Sequence, residues 1–204
     1  MTIATDLSLL DWRRQVHDLY AAVRSEQDPA RAHELWRATR DELFGTHPDS
    51  PLLPEDREGF TGLPVAGYDP ALRFEVVLDR DVEPHRLEVP TGTDGMVAFE
   101  RIGVLRLPAL GDLDAWWLSS YGGGLFVPLK DATAGTETYG GGRYVLDTVK
   151  GADLGGDVRA GELVIDLNFA YNPSCAYDPA WACPLAPPGN TLAAPVRGGE
   201  LLTA

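Results

Sequence analysis

Cysteine is nearly missing from this chain of 204 residues, with Cys175 and Cys183 the only two. That is too few for the disulfide framework of a small secreted protein. Histidine is almost as scarce, and His17, His33, His47 and His85 stand apart, so no spacing suggests a zinc site. No metal is expected, and no pattern names a cofactor. Basic residues are outnumbered, 17 against 31 acidic ones, for a net charge of −14. Such a surface repels phosphate backbones, which excludes nucleic acid and anionic membranes as partners. No apolar run reaches the ~18 residues that cross a bilayer. The opening Met1-Thr2-Ile3-Ala4-Thr5-Asp6-Leu7 lacks the basic start and apolar core of a signal peptide. A cytoplasmic location follows as the expectation. The cysteines are read as packed reduced thiols, with a small disulfide loop or metal ligation as alternatives. There is also no internal repeat and no low-complexity tract.

What is present suffices for a core: 44% hydrophobic residues, with five Trp, seven Tyr and six Phe. At this length one domain over residues 1–204 is expected. Leu9, Trp12, Val16, Leu19, Tyr20 and Val23 recur at helical spacing opposite Arg13, Arg14, His17, Asp18 and Arg24. Asp28-Pro29 is an N-cap and first-turn pair opening a second stripe, Ala32, Leu35, Trp36, Thr39 and Leu43, that ends at Gly45. Residues 1–45 therefore form a helical hairpin. Residues 46–72 are rich in Pro and Gly and make an ordered connector. Residues 73–204 hold seven strand-like runs: Phe74 to Leu78, His85 to Val89, Val97 to Leu107, Ala115 to Ser119, Leu125 to Lys130, Arg143 to Val149 and Leu163 to Leu167. The intervals are too short for crossover helices, which excludes an α/β fold. The expected class is mainly β, an antiparallel sandwich or barrel-like body behind the hairpin, α+β overall.

Two stretches carry more polar and glycine residues than a β core needs. In the first, Lys130 and Asp131 precede Glu137-Thr138-Tyr139-Gly140-Gly141-Gly142-Arg143. Three glycines permit positive φ and bring backbone N–H groups near a ligand, and Arg143 offers a planar fork for a carboxylate or phosphate. The plain alternative is a bulged hairpin with Arg143 paired to Glu137 or Asp131. In the second, Asp166 and Asn168 lie two apart on a strand and share a face, followed by Tyr171 and Asn172. They are an acid or base with its orienting partner, or they satisfy the backbone of the loop that follows. A nucleophile at Cys175 or Ser120 beside His47 has no supporting motif.

Phe44-Gly45-Thr46-His47-Pro48-Asp49-Ser50-Pro51-Leu52, Tyr68-Asp69-Pro70, Leu125-Phe126, Lys130-Asp131, Glu137 through Tyr144, and Asp166-Leu167-Asn168 through Tyr177 to Cys183-Pro184 together resemble a family known as domain of unknown function 1684, found widely in bacteria. The likeness spans roughly residues 10 to 200. It implies kinship and a shared polar site, without any assigned activity.

Two functions follow as expectations. In one, a small-molecule pocket of enzyme type holds an anionic metabolite on Arg143, with Glu137 or Asp166 as acid or base. Lys130, Asp131, Tyr139, Asn168, Tyr171 and Asn172 bind the ligand. In the other, a non-catalytic binding or interaction module, the same residues brace loops and the hairpin docks a partner or a second copy as a homodimer. Exposed Trp12 and Trp36 and the lack of an enclosed polar cavity would favour the second.

Overall fold

The computed structural model describes residues 3–91, 95–119 and 121–202, with the side chains of residues 3–6 and 91 outside the description. Ser120 therefore lies outside the described residues.

The chain opens with α1 (Ile3–Ser25) and α2 (Pro29–Thr46), joined by a short turn. Asp28 caps α2 by accepting from the backbone N–H groups of Ala30 and Arg31, and Pro29 occupies its first turn. These signals work as the sequence suggests, because the cap satisfies donors that have no helical partner. The buried stripe of α2 differs in one place: Leu35 is exposed, while His33 is buried. His33 Nε2 hydrogen-bonds the carbonyl of Asn168 at 3.0 Å, and the ring stacks on Trp36 and meets Phe169 edge-on. Burial lowers the His33 pKa, so the ring is neutral at this contact.

The connector carries α3 (Pro54–Arg57) and a 3-10 turn at Pro70–Leu72. Arg57 orders its first half by donating to the carbonyls of His47, Pro48, Ser50 and Leu52. Its second half pairs with the chain's end: Ala66 N–H donates to Gly199 O and Leu201 N–H to Pro64 O.

Seven strands follow: β1 (Arg73–Val77), β2 (Arg86–Thr91), β3 (Gly95–Leu107), β4 (Gly111–Leu118), β5 (Gly124–Leu129), β6 (Arg143–Asp147) and β7 (Glu162–Asp166). They form two antiparallel sheets, a five-stranded meander β2-β3-β4-β5-β6 and the pair β1-β7. Single bridges, Asp79 with Val104 and Tyr144 with Tyr171, stitch the pair to the meander. The fold is thus mainly β behind a helical hairpin, as expected. Pro128 lacks an N–H inside β5, and the β5–β6 register shifts at Val127 and Pro128, the usual accommodation of proline in a sheet. The main core joins Leu19, Tyr20, Val23, Ala32 and Trp36 from the hairpin to Leu105, Leu113, Val127, Val145 and Ile165 from both sheets and to Leu167 just beyond β7.

The second polar stretch departs from its expected form. β7 stops at Asp166, whose carboxylate accepts from the N–H of Asn168 and caps a 3-10 turn at Leu167–Phe169. Asn168 is therefore not on a strand. A side chain able to cap its own backbone ended the ladder there.

Candidate functional site

Arg143 is 1% exposed and its fork points inward. One Nη donates to Asp131 at 2.8 Å and to Val196 O at 3.0 Å, and the other donates to Gly198 O and Glu200 O. Asp131 also accepts from Thr133 N–H and Oγ1 and from Val196 N–H. Of the two readings the sequence left open, the geometry matches the pairing of Arg143 with Asp131, and the two lock the C-terminal segment to the sheet. Of the three glycines only Gly142 has positive φ, at 89°. A side chain there would meet Leu129 O at 2.8 Å, so the glycine serves a close turn.

The remaining expected residues fall in separate places. Glu137 lies at the surface, paired with Arg197 at 2.9 Å. Lys130 joins the sheet through backbone bonds to Asn190 and Leu192. Asp166 is buried, accepting from Tyr68 Oη at 3.2 Å and from Asn168 Nδ2 at 2.7 Å, and Asn168 also binds both backbone groups of Asp69. Burial raises the Asp166 pKa. The Tyr139 hydroxyl meets Cys175 O at 3.5 Å and Sγ at 3.6 Å, and burial pushes its pKa up to about 12. Glu137 and Asp166 do not share a cleft with Arg143.

Tyr171 and Asn172 do line a cleft. It lies between the hairpin and the β body, is partly open to solvent, and has a cavity volume of about 100 Å³. The hairpin contributes Trp12, Val16, Tyr20, Arg40 and Phe44, and the body contributes Tyr144, Asp147, Lys150, Tyr171, Asn172, Ser174 and Tyr177. The lining residue Arg40 belongs to a buried charge pair: its Nη2 meets Glu200 Oε2 at 2.8 Å, and Glu200 is 0% exposed. The same oxygen accepts from the N–H of Asn172 at 3.0 Å, and Tyr177 Oη donates to Glu200 Oε1. The Arg40 guanidinium sits over the rings of Trp36, Phe44 and Tyr171, within 4.9 to 5.2 Å of their centroids. Burial by itself lowers the Arg40 pKa, but Glu200 and the neighbouring tyrosines outweigh it and the net shift is upward. Arg40 is therefore a permanent cation in a cage of rings.

Two buried polar atoms of the cleft residues have no hydrogen-bond partner among the described residues: Arg40 Nε, a donor, and Asn172 Oδ1, an acceptor. Buried polar atoms of this kind are uncommon in native proteins. Asp147 lies elsewhere in the wall, 3.8 Å from Lys150 Nζ. Burial raises its pKa against the pull of Lys150. Burial likewise raises the tyrosine pKa values, that of Tyr20 to about 12 and those of Tyr144, Tyr171 and Tyr177 further. All four stay neutral phenols at pH 7.

Arg40, Asp147 and Glu200 were missed in the sequence. Arg40 had a signal, since it stands four residues after Trp36 and four before Phe44 on an apolar stripe. Asp147 ends the otherwise apolar Tyr144-Val145-Leu146. Glu200 follows two glycines outside any period and gave none. Cys175 and Cys183 are unbonded and half-buried. Among the described residues no group of three or more His, Cys, Asp or Glu could hold a metal ion, and no helix is long and apolar enough to cross a membrane.

The family described as "Protein of unknown function (DUF1684)" matches residues 58–201, well over half of the chain. The chain belongs to that family. The match takes in the β wall of the cleft from Tyr144 to Tyr177 and also Glu200, while the α1 and α2 wall precedes it. A solution NMR structure of an uncharacterized protein from Haloarcula marismortui is similar at 32% identity, covering 81% of this chain and 90% of that one with a TM-score of 0.57. No curated protein matches.

Proposed function

We propose that this member of the DUF1684 family binds a small polar molecule in the cleft between its helical hairpin and β body, as an enzyme-like pocket with Asp147 as its acid–base group. The cleft itself, walled by Trp12, Tyr20, Phe44, Tyr144, Tyr171 and Tyr177 with Asp147, Lys150 and Asn172 among its lining, carries the reading. A concave site with mostly apolar walls and a few convergent polar groups is the usual form of a small-molecule site. A buried carboxyl with a raised pKa in the wall is the usual form of a proton-exchanging group.

The hairpin aromatics support the same choice over a docking face or homodimer. Trp36 is 0% exposed and Trp12 packs on Phe44 and His47. An anion held by Arg143 has less support, because three carbonyls and Asp131 already occupy both of its Nη groups and the side chain is 1% exposed. Bracing of loops has its own observation in the internal hydrogen bonds of Arg143, Asp131, Asp166 and Asn168, and it is compatible with a binding cleft elsewhere. The unbonded thiols fit a reducing compartment such as the cytoplasm.

A thermal-shift screen of small metabolites against the wild type and Val16→Trp, which fills the cleft, tests the proposal. A ligand that stabilises the native state raises the melting temperature by mass action. The expected hit raises it in the wild type and not in folded Val16→Trp. Hits that survive the filling substitution would place binding elsewhere.

A further inference from the structure

Cys175 and Cys183 stand outside the cleft lining, yet the fold brings them together. A 3-10 turn at Ser174–Ala176 holds Cys175. A second turn, in which Trp181 N–H donates to Asp178 O and Ala180 N–H to the Asp178 carboxylate, reverses the chain and returns Cys183 toward it. The Cys183 thiol hydrogen-bonds both a backbone group and the thiol of Cys175. Both cysteines are also fastened to the stretch that runs from Tyr139 into β6. Tyr139 Oη lies 3.5 Å from Cys175 O and 3.6 Å from its Sγ. Tyr144 Oη donates to Pro184 O at 2.7 Å and meets the Cys183 thiol.

Two thiols in contact serve as ligands of a metal ion, as inert packing, or as the reduced form of a disulfide. Among the described residues no third His, Cys, Asp or Glu joins the pair, which leaves it short of the ligands a zinc ion takes from protein. Inert packing suits thiols sealed in a core, whereas both of these are only half-buried, within reach of a small oxidant. A disulfide forms without backbone movement only between cysteines that already stand close. Thiols in mutual hydrogen-bond contact meet that demand by rotation of their side chains. Burial raises the Cys183 pKa, so this sulfur rests as a protonated thiol at pH 7.

We propose that Cys175 and Cys183 are a redox modification site, forming a reversible intramolecular disulfide when a peroxide meets the folded protein, and that this bond ties down one wall of the cleft. One sulfur, as thiolate, attacks a peroxide oxygen; the O–O bond breaks, hydroxide leaves, and a sulfenic acid forms. The second sulfur then displaces hydroxide from it, forming the S–S bond as the S–O bond breaks. The two thiol protons convert both hydroxides to water, so two electrons pass from the thiols to the peroxide. The bond reaches the cleft because Pro173, Ser174 and Tyr177, on either side of Cys175, line it, as does Tyr144 beside Cys183. Disulfides of reducing compartments are typically transient and redox-sensing. The bond stands whether or not the cleft binds a ligand; only its consequence for a ligand rests on the binding reading above.

The test adds hydrogen peroxide to the folded wild type and follows free thiols by maleimide labelling and the intact mass by mass spectrometry. Both thiols are expected to disappear together as the monomer loses two hydrogen atoms. Protease digestion then yields one peptide pair linked through Cys175 and Cys183, and dithiothreitol restores both thiols. Oxygen gained on the sulfurs separately, a cross-linked dimer, or thiols that react only after unfolding in urea would overturn the site. Backbone amide spectra of the oxidised protein read its reach. Shifts are expected at Tyr144, Ser174 and Tyr177 as well as between the two cysteines, whereas shifts confined to residues 175–183 would keep the bond and remove its tie to the cleft. A metabolite screen without hits would remove the ligand reading and leave the bond untouched, so the two readings fail separately.

Discussion

Arg143 and Arg40 are both buried arginines, and their surroundings give them different work. Arg143 is enclosed by Asp131 and by carbonyls more than fifty residues further along. Arg143→Ala leaves the Asp131 carboxylate buried without its cation, so a loss of about 3–5 kcal/mol is expected in urea unfolding. Arg143→Lys recovers only part of it, because an ammonium cannot reproduce the planar fork. The pairing with Asp131 was one of the two readings open in the sequence, but nothing near Arg143 shows that its carbonyl partners lie in the last ten residues. Tyr171 and Asn172, which the sequence offered as ligand-binding residues, line the cleft between hairpin and β body. Asp147 gives a test by pH. Burial raises its pKa in the folded protein, so folding favours the protonated form. Its favourable contribution is complete below the unfolded carboxylate value of about 3.9 and is lost as pH rises through the raised folded value. Asp147→Asn removes that loss. Its stability relative to wild type should therefore improve between pH 4 and pH 7 in chemical denaturation, and an unchanged difference would show that Asp147 is not strained by burial.

At the scale of elements, the helices and strands were readable and their ends less so. The Asp28-Pro29 start carries its own chemistry, and Asp28→Ala should lower stability by about 1 kcal/mol in thermal or urea unfolding. Periodicity alone placed Leu35 in the buried stripe, but His33 takes that side because Asn168 O and the ring of Phe169 offer it partners. β6 stops at Asp147 and β7 at Asp166, each capping a 3-10 turn with its own carboxylate. In both cases a local side-chain bond overrode a run of strand-forming residues, a competition that hydrophobic pattern does not register.

Across the molecule, the C-terminal segment links the parts. Val196, Gly198 and Glu200 close on Arg143, Glu200 neutralises Arg40 of the hairpin, and Leu201 pairs with the connector at Pro64. A chain ending before Val196 would bury Arg40 without Glu200 and strip Arg143 of its three carbonyl partners, and should fail to unfold cooperatively in calorimetry. The same linkage forms the cleft, since the Glu200 network sets Arg40, Asn172 and Tyr177 around one space. The sequence could not reveal that space, which arises only when residues 12–44 meet residues 144–177. Backbone amide chemical-shift mapping with a library of small planar fragments tests it most directly. Shifts should concentrate on Trp12, Val16, Arg40, Tyr171, Asn172 and Tyr177, whereas shifts gathered at the loop from Glu137 to Arg143, or none with any fragment, would contradict a binding site between hairpin and sheet.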